Sequence, residues 1–215
     1  MKIKAVIFDF DGTIADTRGV IVAAKQETMR RMHLKVYGEE ACAATIGLTA
    51  KSGFLQMYPD LEEPVIDACV DLYRQLFESL KKEIPPVLFE VVRETLSQLE
   101  KRGIQKTIAS SRNNKSLQDF LSDWNMEETF PYVLGGGSTQ LQKPNPDPVL
   151  KTLADLSLRA DEVLVVGDMP FDIEMGKRAG VYTCGVTYGN ATRKELISAG
   201  ADFVIDRMEE LLDLL

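Results

Sequence analysis

Ile3-Lys4-Ala5-Val6-Ile7-Phe8-Asp9-Phe10-Asp11-Gly12-Thr13 is the stretch on which the reading of this chain turns. The run Ile3–Phe8 shows no clean alternation of apolar and polar residues, so it predicts a strand covered on both faces, as in a parallel sheet. Two carboxylates, Asp9 and Asp11, follow where that strand ends, ahead of a glycine turn and the hydroxyl of Thr13. Two acids at a buried strand end repel each other unless a cation compensates them.

Similar short runs recur at Ile104–Ala109, Val163–Val166, Val181–Val186 and Phe203–Ile205. Helical periodicity fills the gaps. Val87, Leu88, Val91, Val92, Leu96 and Leu99 keep one face apolar before Gly103 supplies a stop. Further helices are predicted at Lys115–Ser122, Pro146–Leu156, Phe171–Ala179, Arg193–Ala199 and Met208–Leu214. Strands alternating with helices imply an α/β fold, a doubly wound parallel sheet. Gly135-Gly136-Gly137 reads as a flexible loop, because it lacks the strand–helix context of a nucleotide-binding glycine motif.

The alternation fails between Asp16 and Glu83, where helix follows helix and Pro85-Pro86 closes the stretch as a stiff boundary. The expected organisation is therefore a core domain of residues 1–15 and 84–215, with residues 16–83 inserted as an all-helical cap. Asp16–Gly19 and Glu83–Pro86 are its expected hinges.

At 215 residues the chain has room for one large domain, or a main domain carrying a small second one. The net charge of −8, with no large basic cluster, speaks against nucleic acid or an anionic membrane as partner. No apolar run approaches the roughly 20 residues needed to cross a bilayer, and no signal-peptide pattern opens the chain. The expected compartment is the cytoplasm, and the expected assembly a monomer or homodimer. Cys42, Cys69 and Cys184 are scattered without metal-ligand spacing and read as buried free thiols.

In open α/β sheets, ligands sit at the carboxyl ends of the strands. Four features of the sequence fall at such ends: Asp9/Asp11/Thr13, Ser110-Ser111-Arg112-Asn113, Lys143-Pro144-Asn145-Pro146, and Gly167-Asp168 with Asp172. Each of the last three taken singly suits a turn or helix cap. Their joint placement points to chemistry. One carboxylate of the first pair can attack an electrophile while the other shuttles a proton, and both can hold a metal. The expected substrate is a small phosphorylated metabolite, drawn to an acidic protein by local devices such as a metal, a lysine or helix N-termini.

These four motifs, in this order and spanning essentially the whole chain, resemble the haloacid dehalogenase-like (HAD) hydrolase superfamily. The resemblance implies a Rossmann-like HAD core carrying a small helical cap. It makes Asp9 the nucleophile that forms an aspartyl-phosphate, and Asp11 the acid and base for leaving group and water. Mg²⁺ would be bound by Asp9, Asp168 and the backbone carbonyl of Asp11. Ser110, Ser111 and Lys143 would hold the phosphoryl group, with Lys143 also neutralising Asp9. Thr13 and Asp172 would support the site from behind the first layer of ligands.

Within the superfamily, Asp11 argues against the dehalogenases, which lack a second aspartate. Phosphonate-cleaving relatives use a cap lysine that Lys51 could mimic, but Asp11 makes a phosphatase simpler. Cap size and position resemble phosphoglycolate-phosphatase-like enzymes, as does Gly185-Val186-Thr187-Tyr188-Gly189. Ile46-Gly47-Leu48-Thr49 resembles the cap loop that reads substrate, which makes Thr49 and Lys51 candidate substrate contacts. Related sugar-phosphate mutases of the β-phosphoglucomutase type carry an arginine just past that glycine, where Ala50 and Lys51 stand here. Pyrophosphatases share most of these features.

The expected function is a magnesium-dependent phosphatase acting on phosphoglycolate or a sugar phosphate. A mutase, a pyrophosphatase, and a phosphoacceptor signalling or binding protein remain alternatives. His33 reads as structural, Trp124 and Phe130 as packing residues, and Arg18 and Arg112 as open between surface or cap roles and substrate contact.

Overall fold

A computed structural model describes residues 2–215. The chain begins with strand β1 (Ala5–Phe8) and a two-residue strand β2 (Ala15–Asp16). Four helices follow, α1 (Arg18–Arg31), α2 (Glu39–Ala43), α3 (Ala50–Met57) and α4 (Glu63–Leu80). Strand β3 (Val87–Leu88) and helix α5 (Val92–Lys101) return the chain to the main sheet. From there β4 (Gln105–Asn113), α6 (Asn114–Asp123), β5 (Tyr132–Gly136), α7 (Asp147–Asp155), β6 (Val163–Gly167) and α8 (Pro170–Ala179) alternate. The last elements are β7 (Tyr182–Val186), α9 (Arg193–Ser198), β8 (Phe203–Ile205) and a 3-10 turn over Met208–Asp213.

The main sheet has six parallel strands in the order β5-β4-β1-β6-β7-β8. β1 is central, and all four of its side chains are fully buried. Their alternation feeds two apolar layers. Val6 and Phe8 pack with Leu96 and Leu99 of α5 and Leu117 of α6, whereas Ala5 and Ile7 pack with Val149 of α7 and Met175 of α8. A parallel strand with both faces covered must be apolar throughout, which is why Ile3–Phe8 shows no alternation. The chain builds outward from β1 to β5 on one side and to β8 on the other, so the crevice at this reversal opens above β1, β4 and β6.

The first layer continues into the helical stretch. Val20 and Met29 of α1, Phe54 of α3, and Ile66 and Phe77 of α4 belong to the same buried cluster as Phe8. β2 pairs antiparallel with β3, Ala15 opposite Leu88 and Asp16 opposite Val87, bringing the two ends of that stretch side by side.

Three local expectations are corrected. Val87 and Leu88 do not lie on a helix face: they form β3, and α5 starts only at Val92. Pro85-Pro86 favours extended backbone just before them, and pairing with β2 holds it there. Gly135 and Gly136 are not loop but the end of β5, against β4. A Cβ on Gly136 would stand 2.6 Å from the Ser111 carbonyl oxygen, and one on Gly135 2.9 Å from that of Arg112. Glycine here permits close backbone approach. The helix expected at Met208–Leu214 is a 3-10 turn ending at Asp213. Phe130 is buried and Trp124 half-buried in the core, and the three cysteines are buried free thiols.

Candidate active site

Asp9 stands at the carboxyl end of β1, its backbone N–H donating to the Val166 carbonyl at 2.9 Å. That bond places the Asp9 carboxylate beside the loop that follows β6. There Asp168 and Asp172 complete a group of three buried acids, with one oxygen of each within 4.8 Å of the others. Asp172 sits in the first turn of α8, where its carboxylate accepts from the Met169 N–H at 3.1 Å. Asp168 accepts from both the backbone and side-chain nitrogens of Asn190, at 2.8 and 2.7 Å. The Thr13 hydroxyl lies 3.5 Å from its other oxygen. Gly12 makes this approach possible: its φ is +93°, and a Cβ there would stand 2.1 Å from the Asp168 carboxylate.

Lys143 is buried among the acids and donates to Asp9 at 2.5 Å and to Asp172 at 2.6 Å. Burial alone would lower the lysine, but Asp172 and Asp9 outweigh it and hold Lys143 above the ordinary value. One ammonium against three carboxylates leaves negative charge in excess. Burial pushes Asp9 well up against the opposing pull of Lys143, with Asp172, Asp168 and Asp11 adding to the rise. Asp168 is pushed to about 7 by burial and by Asp172, against the donors of Asn190. The second Asp9 oxygen, Oδ2, is buried with no hydrogen-bond partner. An orphaned carboxylate oxygen amid hard oxygen donors and uncompensated charge fits a divalent cation such as Mg²⁺.

Asp11 points elsewhere. Its carboxylate is gripped by Arg112, with Nη2–Oδ1 2.6 Å and Nε–Oδ2 3.0 Å, and accepts from the Thr17 hydroxyl at 2.7 Å. The buried guanidinium lies 4.6 Å from the ring centre of Phe77 and 4.9 Å from that of Phe120. Ser110 lies in the second half of β4 and accepts from the Arg112 N–H at 3.2 Å. The Ser111 hydroxyl donates to the Gly47 carbonyl at 2.6 Å, tying the loop before α3 to the sheet.

Thr49 caps α3 by accepting from the Ser52 N–H at 3.1 Å. Lys51 pairs with Glu63 at 2.6 Å and Asp67 at 2.8 Å, so its charge is already matched. Asp9, Asp11, Ser110, Ser111, Thr49 and Lys51 all line one cavity of about 650 Å³ between sheet and helices. Thr13, Lys143, Asp168 and Asp172 do not line it.

Sequence reasoning left two residues without their roles. Arg112, which the sequence leaves open between a helix-cap role and substrate contact, is the partner of Asp11, and Asn190 orients Asp168 with no local signature to announce it. Arg18 reaches the Asn190 side-chain oxygen at 3.3 Å and pairs with Glu40 at 2.7 Å. His33 follows α1 and its cap residue Met32, with a φ of 54°, and does not line the cavity.

Pyrophosphatase PpaX of Anoxybacillus flavithermus is 28% identical over 215 residues, covering 100% of this chain and 98% of its own. The protein of the same name from Bacillus cereus is 29% identical, with coverage of 100% and 97%. Among solved structures, a Bacteroides fragilis protein described as haloacid dehalogenase-like hydrolase superimposes with a TM-score of 0.88. It is 26% identical, with 98% of this chain and 100% of that one covered. A predicted phosphoglycolate phosphatase of Haemophilus somnus, 22% identical with coverage of 100% and 98%, shares the fold at a TM-score of 0.85. Among the described residues no helix is long and apolar enough to cross a membrane. The family model for haloacid dehalogenase-like hydrolases matches residues 6–186, and the chain belongs to that family of enzymes.

Proposed function

We propose that this hydrolase is a magnesium-dependent phosphatase that cleaves a small phosphorylated metabolite through an aspartyl-phosphate on Asp9. The observation that carries the reading is the Asp9 carboxylate itself. It is buried, with one oxygen held by Lys143 and the other without a partner, in the lining of a cavity that Ser110 and Asp11 also line.

In this reading Asp9 forms a bond to phosphorus as the bond to the leaving oxygen breaks. Asp11 gives that oxygen a proton, then takes one from the water that releases phosphate. Its pair with Arg112 has to part before the first transfer. Lys143 offsets charge on Asp9, and Ser110 and Ser111 contribute hydroxyls near the phosphoryl group. Asp9 and Asp168, with the Asp11 backbone carbonyl, would hold Mg²⁺, while Asp172 and Thr13 steady Lys143 and Asp168. The bound cation would supply Lewis-acid stabilisation of phosphoryl charge. The helical insert, residues 16–83, would act as a cap over the core and exclude bulk water.

The named relatives favour pyrophosphate as a substrate beside phosphoglycolate. The test is phosphate release from a panel of phosphomonoesters and pyrophosphate, with magnesium and with chelator. Magnesium-dependent release, abolished in a folded Asp9→Asn variant, is the expected result. Turnover by that variant at the wild-type rate overturns the reading.

A further inference from the structure

Among the described residues, every cation lining the cavity is matched by a carboxylate except one. Arg112 is held by Asp11 at 2.6 Å, Lys51 by Glu63 at 2.6 Å, Lys115 by Asp119 at 2.6 Å, and Arg74 by Asp71 at 3.5 Å. Lys25 lies on α1, lines the same cavity, is 3% exposed, and forms no ion pair. Its ammonium donates to the Cys42 carbonyl at 3.0 Å and to the Thr45 hydroxyl at 2.5 Å. Those are neutral acceptors, and they use two of its three protons.

Holding an ammonium away from water without a counter-charge is costly. A neutral donor would tie α1 to the Cys42–Thr45 turn at lower cost, so the strut alone does not account for a charge there. Asp11, the acid whose field Lys25 feels, is committed to Arg112 and Thr17. Nor is Lys51 free to receive an anion, because Glu63 and Asp67 already do so. The cavity therefore has its reacting end at Asp9 and Ser110, and a single uncompensated positive charge on the helical wall.

We propose that Lys25, supported by Thr45, is the subsite that receives a second anionic group of the substrate. The scissile phosphoryl group would sit at Asp9, an assignment that rests on the phosphatase reading above. The substrate class is then a compact phosphorylated acid or a diphosphate, selected over phosphate esters of neutral alcohols. The second group is a carboxylate or a phosphoryl, each of which accepts charge-assisted hydrogen bonds from an ammonium.

Calorimetric binding of three non-hydrolysable probes tests this without turnover, in excess magnesium. 3-Phosphonopropionate carries the carboxylate, methylenediphosphonate the second phosphoryl, and propylphosphonate neither. Wild type should bind at least one of the two probes that carry a second anionic group about ten-fold tighter than propylphosphonate, and whichever gains more names the second group. Lys25→Met should bring that ratio near one. Lys25→Gln, which keeps a donor to Thr45 and removes the charge, should do the same, while Lys115→Met should retain the ratio.

The proposal is overturned if wild type shows no preference, if Lys25→Gln keeps it, or if neither Lys25 variant folds, which would make the residue a strut. Phosphate release is followed separately. Its absence from wild type defeats the phosphatase reading and leaves the affinity ratio readable.

Discussion

Two buried lysines face each other's opposite problem. Lys143 is surrounded by acids and held in its charged form, whereas burial pushes Lys25 down to about 8, against weaker support from Cys42 and Asp11. The consequence for folding follows from proton linkage. An unfolded chain carries a lysine near the ordinary 10.5, so below pH 8 both states hold the proton. Between about 8 and 10.5 the unfolded state binds more protons than the native state, and stability rises with pH. Above that window the contribution is constant. Wild type should therefore gain stability relative to Lys25→Met as pH climbs from 8 to 10, by about 2–3 kcal/mol at most. Urea unfolding of both proteins at matched pH measures it, since Tyr and Cys titrations common to both cancel in the difference. A gap that stays constant across the window would show that Lys25 is solvated and not a buried charge.

At the scale of elements, legibility followed locality. β1 and β6 are readable because each is a short apolar run, and Asp9 and Asp168 are readable because they stand where such runs end. Arg112 was not, because its partner Asp11 lies 101 positions away and the pairing is a product of β1 lying beside β4. Asn190 escaped for the same reason, being linked to Asp168 only through the turn after β7. β5 escaped because its last two residues are glycines, which the sequence pattern assigns to loops although here they answer to crowding. That crowding is testable. Gly136→Ala places a Cβ 2.6 Å from the Ser111 carbonyl oxygen, a backbone atom that cannot rotate away. The substitution should cost about 1–3 kcal/mol, the range for overpacking, and should disturb the half of β4 that carries Ser110 and Ser111. Chemical denaturation reads the first effect, and a neutral result would mean β5 shifts freely along β4.

For the whole molecule, the question is whether the helical stretch between β2 and β3 melts apart from the sheet. Two features argue that it does not. The apolar cluster is unbroken from Phe8 and Ile108 in the sheet to Phe54 and Ile66 in the helices. At the seam, Phe77 of α4 meets Phe120 of α6 at 6.3 Å between ring centres, with the Arg112 guanidinium lying against both. The two-residue β2–β3 ladder is too short to hold the halves in register without this packing. Calorimetry of the wild type should therefore show one cooperative transition. Phe77 sits 3% exposed, and its truncation to alanine removes seam contacts from both sides at once. Phe77→Ala should cost about 3–5 kcal/mol and broaden or split the transition, as the helices lose their grip on α6 before the sheet unfolds. Two well-separated transitions in the wild type would defeat the argument, because they would mean that the continuity of the core carries no energetic coupling. A single unshifted transition in Phe77→Ala would place the coupling elsewhere, at the Ser111–Gly47 tie across the rim of the cavity.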